Sequence, residues 1–223
     1  MTRKETMNHI FDNIPIGNNL RKERTQYLIL IGTTTELSTA DVPNIYVDVG
    51  KDYLTMGLSF NSMGSMDNLR HICRYEATNL ERLFKTIPEP YKTIINQKCG
   101  NGPGPKYNPF TQPLEPSTVT PQFIMDNVKR NDNTTVNGKT YKWVYPCVDI
   151  ATRPIATPED LFNEMPVLIT LLRKATTLQK LCFVRIKYSV ILGQIKINHG
   201  PLNNLKRMEQ SYSKEIQELE KLF

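Results

Sequence analysis

The spacing of apolar positions along the chain changes period several times, and each change marks an element. YLILIG (27–32) is a short continuous apolar run closed by Gly32, the pattern of a buried strand. IYVDVG (45–50) sets Ile45, Val47 and Val49 against Tyr46 and Asp48, an alternation that fits a strand with one face buried. DYLTMGLSF (52–60) continues the theme. Three strands joined by short polar turns predict an antiparallel meander. The period then lengthens. Leu69, Ile72, Cys73, Leu80, Leu83, Phe84 and Ile87 recur at spacings of three and four, the stripe of an amphipathic helix that Ser65 caps and Pro88 and Pro90 end. YKTIINQKC (91–99) reads as a further turn or two of helix.

Residues 99–122, CGNGPGPKYNPFTQPLEPSTVTPQ, interrupt this periodicity. A phosphate-binding loop needs its glycines followed by Lys-Ser/Thr at a helix start. Here Pro105, Lys106 and Tyr107 follow, and prolines remove the N–H donors that a phosphate cradle uses. The stretch predicts an extended spacer between two halves, with PxxP spacing at Pro113 to Pro116.

After an ambiguous FIMDNVKR (123–130), the run TTVNGKTYKWVYP (134–146) carries Asn137-Gly138 between strand-like segments, the preferred two-residue hairpin turn. Lys139, Tyr141, Trp143 and Tyr145 then share one face. A second helix is expected over 157–176, with Thr157 as cap and Pro166 as a kink or restart. LCFVRIKYSVIL (181–192) alternates Val184, Ile186, Tyr188 and Val190 with Phe183, Arg185, Lys187 and Ser189. It reads as a long strand, with QIKIN (194–198) pairing back. A last helix runs from about Pro201, its stripe made of Leu205, Met208, Tyr212, Ile216, Leu219 and Leu222.

The expected fold is therefore α+β: an antiparallel sheet flanked by two or three helices, a long Pro/Gly-rich central loop and a C-terminal helix. Its divisions are a polar basic arm (1–25), strands plus a helix (26–98), the spacer (99–122) and a basic half with the terminal helix (123–223), which joins 26–98 in one domain if their strands share a sheet.

Charge adds direction to this picture. The net formal charge is +6, and residues 123–208 hold 13 basic against 6 acidic side chains. Such a segment attracts phosphate-rich partners, a nucleic acid or an anionic membrane surface. Lys139, Tyr141, Lys142 and Trp143 on one strand, with Arg185 and Lys187 on another, form the expected nucleic-acid surface, rings stacking on bases and cations holding phosphates. The terminal stripe from Leu205 to Leu222 has nothing after it to cover it, so it packs on the body of its own subunit or, as the expected oligomerisation surface, on another.

Catalytic chemistry is thinly represented. His9, His71 and His199 are the three histidines, and none belongs to a metal or nucleophile motif. The four cysteines stand far apart without a C-x-x-C pair, as buried free thiols of a reducing compartment do. No metal or other cofactor is expected. With no leader or membrane-spanning run in the sequence, the expected location is cytosol or nucleus, or a virion. The reading that follows is a non-enzymatic structural or assembly protein that binds nucleic acid or an anionic surface and self-associates. The abundance of Asn, Ile, Lys and Thr suits a viral coat, matrix or nucleoprotein-like role. The alternatives are an enzyme with an unrecognised site and an adaptor using the proline-rich loop.

Overall fold

The computed structural model describes residues 20–22, 26–30, 41–49, 54–100, 106–109, 112–128, 131–136, 139–157, 159–197 and 199–223. Of 20–22, 26–30, 49, 97–100, 106–109, 131–136, 139 and 141–145 it describes the backbone alone. An antiparallel sheet takes strands from both halves of the chain. β2 (Gln26–Leu30), β3 (Asn44–Val49) and β4 (Leu54–Phe60) form the three-stranded meander read from the sequence, and β1 (Leu20–Lys22) pairs with β2 at its edge. β5 (Lys92–Gly100), β6 (Lys106–Pro109), β7 (Asn131–Val136) and β8 (Lys139–Pro154) complete it. The spatial order is β1-β2-β3-β4-β8-β5-β6, with β7 paired to β8. The α+β class with an antiparallel sheet and a terminal helix is thus observed.

Alternation explains which face of the sheet carries the core. Ile45 and Val47 of β3, Met56, Leu58 and Phe60 of β4, Val148 and Ile150 of β8 and Ile95 of β5 all enter one hydrophobic cluster. α1 (Met63–Tyr75), α2 (Ala77–Lys85) and α4 (Asp160–Lys196) bring Leu69, Ile72, Leu80, Leu83, Phe84, Leu168, Leu172 and Leu178 against it. Ser62 caps α1 in a reciprocal bond with Ser65, three residues before the cap read from the sequence. The expected single helix breaks at Glu76, between α1 and α2.

β8 carries a bulge. Ser59 faces Asp149 and Leu58 faces Ala151, so Ile150 is an extra residue relative to β4. Val148, Ile150 and Ala151 can then all reach the core. Thr93 Oγ1 of β5 donates to the Ile150 carbonyl at 2.8 Å, satisfying an acceptor that the irregular ladder leaves over.

Four readings of the sequence are corrected. Residues 92–100 form β5, because Tyr91, Thr93 and Ile95 point alternately into the core. Residues 181–192, expected as a strand, lie within α4, and of the expected returning strand 194–198 residues 194–196 continue that helix. α4 runs unbroken through Pro166, close enough to its start that little of the hydrogen-bond ladder is lost. At that start Thr157 Oγ1 accepts from Asp160 N while Thr157 N donates to an Asp160 carboxylate oxygen.

The expected spacer is not one continuous extended loop. It contributes β6, a bridge from Leu114 to Thr93, a 3-10 turn at Pro116–Thr118 and the start of α3 (Pro121–Asn127), with Pro116, Val119 and Pro121 buried. In the expected basic arm, Leu20–Lys22 is strand β1, and residues 1–19 and 23–25 lie outside the described residues.

Candidate functional site

α4 is 37 residues long, a rod of about 55 Å. Its N-terminal two thirds bury Leu161, Met165, Leu168, Leu171, Leu172, Ala175 and Leu178. Beyond Cys182 only Val184 and Ile191 are buried. There the helix leaves the sheet and is accompanied by α5 (Leu202–Lys221), which folds back on it. Gly200, at φ +105°, makes the turn in a region of backbone space that side chains disfavour. Leu181, Val184 and Leu219 form a second small cluster with Tyr212 and Ile216 against it. Four of the six residues expected to oligomerise are therefore buried or half-buried in the subunit itself: Leu205, Tyr212, Ile216 and Leu219. Met208 and Leu222 stay exposed.

Between Met165 and Met208 the chain has no Asp or Glu and eight cations: Arg173, Lys174, Lys180, Arg185, Lys187, Lys196, Lys206 and Arg207. Acids on other elements meet Lys180 and Arg185. Lys180 pairs with Glu215 of α5 at 3.0 Å. Arg185 is held from both sides, by Glu76 at 2.7 Å and by Glu220 of α5. The Glu76 side chain is fully buried and also accepts from Asn79 at 2.8 Å. Arg185 is thus the rivet that fixes the base of the helical hairpin to the α1–α2 junction. Lys187 lies over the Phe183 ring, 4.4 Å from its centroid. Among the described residues, no ion pair involves Arg173, Lys174, Lys196, Lys206 or Arg207. Toward the tip, aliphatic side chains join these cations: Val190 is 55% exposed, Leu192 40%, Ile197 72% and Leu202 40%.

The expected two-stranded basic surface does not form. Lys139, Tyr141, Lys142 and Trp143 lie on β8 beside β7, with Val136 opposite Lys139, the pairing that the Asn-Gly pattern predicts. Their side chains lie outside the described residues. Arg185 and Lys187 are on α4, off the sheet. The signal for the hairpin is a negative one in the sequence: a 44-residue stretch without an acid, diluted when charge is summed over longer segments.

A second constellation lies on the sheet face opposite the core. Tyr46, Gly57 and Thr152 are opposite one another on β3, β4 and β8. The Tyr46 ring crosses Gly57, where an added Cβ would lie 2.9 Å from Tyr46 Cε1 and 2.6 Å from the Ala151 carbonyl. Its hydroxyl then reaches Thr152 Oγ1 at 2.8 Å and donates to Asp149 at 3.3 Å. Asn96 Nδ2 donates to the same Asp149 oxygen at 2.6 Å. Burial pushes the Asp149 carboxyl up to about 6, with the bonds from Ser59, Tyr46 and Asn96 opposing it. Burial, and then the Asp149 charge, push the Tyr46 phenol well above its usual value.

Two cavities lie elsewhere on the body. One of about 590 Å³ sits between the α1–α2 junction and α3, beside Cys73, Arg74, Glu81 and Asp126. Burial drives the Cys73 thiol up to about 12, far from the thiolate that a nucleophile needs. The other, of about 380 Å³, is bordered by Arg153, Asp160 and Glu164. Glu164 is taken up by the Tyr91 hydroxyl at 2.8 Å and by Arg153. Cys73, Cys147 and Cys182 are free and buried. His71 stacks on Tyr75 on the exposed side of α1, His199 is exposed at the hairpin turn, and His9 lies outside the described residues.

No protein-family model, curated protein or solved structure matches the chain. No described helix is long and apolar enough to cross a membrane.

Proposed function

We propose that this chain is a non-enzymatic binding protein whose α4–α5 hairpin grips a phosphate-rich polyanion, the phosphodiester backbone of a nucleic acid or the headgroups of an anionic membrane. A coat, matrix or nucleoprotein-like role is the form of this proposal that the composition suits. The observation that carries it is the acid-free run from Met165 to Met208, in which Arg173, Lys174, Lys196, Lys206 and Arg207 have no ion pair among the described residues. A solvated helix face ordinarily interleaves acids and bases, because like charges at successive turns repel. In the hairpin's outer half Glu209 is the one acid against Lys196, Lys206 and Arg207, and an external polyanion would relieve the remaining repulsion. Association through such an array releases counterions and is steeply salt-dependent.

Arg185 enters this reading as a positioning residue. The grip falls to Lys196, Lys206 and Arg207, with Arg173 and Lys174 nearer the body. The full chain should bind single-stranded poly-U or phosphatidylserine vesicles at low salt, and replacing Lys196, Lys206 and Arg207 by Gln should weaken that binding without lowering the melting temperature. Unchanged binding by the variant, or none by the wild type, would remove the proposal's support.

A further inference from the structure

The cations of the hairpin are accompanied by apolar groups, and the pairing narrows the class of polyanion. Ile197 ends α4 and Leu202 begins α5, on either side of the Gly200 turn, and both are exposed. Val190 is about 10 Å behind Ile197 along the helix, at 1.5 Å per residue. Lys196, Lys206 and Arg207 lie within two turns of the tip. The hairpin therefore ends in an aliphatic point with a collar of positive charge, and Glu209 stands behind that collar as the nearest acid.

We infer that this tip is a membrane-surface anchor: Ile197 and Leu202 enter the headgroup–acyl boundary of an anionic bilayer while Lys196, Lys206 and Arg207 hold its phosphates. The inference rests on the polyanion reading above and goes further by choosing lipid. Three observations make the choice. First, residues 186–208 contain no Phe or Trp, one half-buried Tyr and, at the turn, the small exposed imidazole of His199, so the tip offers little ring area to stack on bases, whereas its exposed aliphatic groups gain from acyl chains. Second, cations on long side chains beside apolar ones match a surface whose charged and apolar layers lie a few ångströms apart. Third, a second copy is a poor occupant, because apposed tips would bring two sets of three cations together against one acid on each, Glu209, set behind them. α4 is too polar to span the bilayer, so the contact is interfacial.

The test uses the full chain with vesicles of phosphatidylcholine alone, vesicles that also contain phosphatidylserine, and poly-U. The wild type should float with the serine-containing vesicles and not with phosphatidylcholine alone. I197S combined with L202S, both at exposed positions, should reduce vesicle binding about tenfold or more, because fewer methylenes are buried, and leave poly-U binding unchanged. K196Q, K206Q and R207Q together should weaken both, by roughly fivefold per cation on vesicles. Vesicle binding that ignores I197S/L202S overturns insertion. Binding to poly-U without binding to vesicles overturns the lipid choice and leaves the polyanion reading standing, while a wild type that binds neither at low salt removes the two together. An oligomer in light scattering that I197S/L202S abolishes would assign the tip to a second copy and overturn the anchor.

Discussion

Gly57 and Asp149 show how single residues shape the polar face of the sheet. Glycine at 57 is required by close approach, since Tyr46 must cross it to reach Thr152. Gly57→Ala would push against a backbone carbonyl as well as the ring, so a destabilisation of about 1–3 kcal/mol is expected in denaturant unfolding. A variant as stable as wild type would mean that the Tyr46 ring moves aside freely. Asp149 makes a prediction of opposite sign. Its folded value of about 6 lies above the ordinary carboxyl value of 3.8, so folding takes up a proton. Its contribution to stability is fullest below the unfolded value and is lost as pH rises through the folded one. Asp149→Asn keeps an acceptor for Asn96 and cannot ionise. It should stabilise the protein by about 2 kcal/mol near pH 7 and hardly at all near pH 4, read as the difference in unfolding free energy. An equal effect at the two pH values would contradict burial as the cause of the shift.

At the scale of elements, the rivet Glu76–Arg185–Glu220 decides how the hairpin is carried. Glu76 is buried at the end of α1, where its carboxylate meets Asn79 at the start of α2 as well as Arg185. Glu76→Gln keeps the shape and removes the charge. The expected cost is about 2 kcal/mol, below the full range for a buried pair because Arg185 is partly solvated and keeps Glu220. Chemical denaturation of the full chain measures it, and a cost near zero would make the rivet incidental.

The elements also mark where the sequence was legible. The β2–β4 meander, the Asn137-Gly138 hairpin and the last helix carry their own local signals: alternation, a turn dipeptide and a stripe. β5 was hidden because Ile94 and Ile95 adjoin and blur the alternation of Tyr91, Thr93 and Ile95. Residues 181–192 were misread because an apolar run with Arg185 and Lys187 at alternate positions satisfies both periods. What decides for helix is packing on α5 through Leu181 and Val184, a tertiary fact absent from the local pattern. The candidate site suffered the same way. Arg185 was legible as a cation and not as an ion-paired one, because its partners are 109 and 35 residues away.

For the molecule as a whole, the arrangement is a core-bearing sheet, helices on one face and a cationic hairpin extending from that body. The same logic places the terminal stripe: Leu205 and Leu219 are consumed in the subunit, so what α5 offers outward is chiefly charge, with Met208 and Leu222. The central claim is that this charge grips a polyanion. The most direct measurement is the salt dependence of binding to single-stranded poly-U by the full chain and by the chain carrying K196Q, K206Q and R207Q. The account predicts that the wild type binds tightly at low salt, that log K falls linearly with log salt, and that the variant's slope is shallower by about 2, at roughly 0.7 for each phosphate no longer neutralised. A variant with the wild-type slope and affinity, or a wild type that at low salt binds neither poly-U nor phosphatidylserine vesicles, would contradict it.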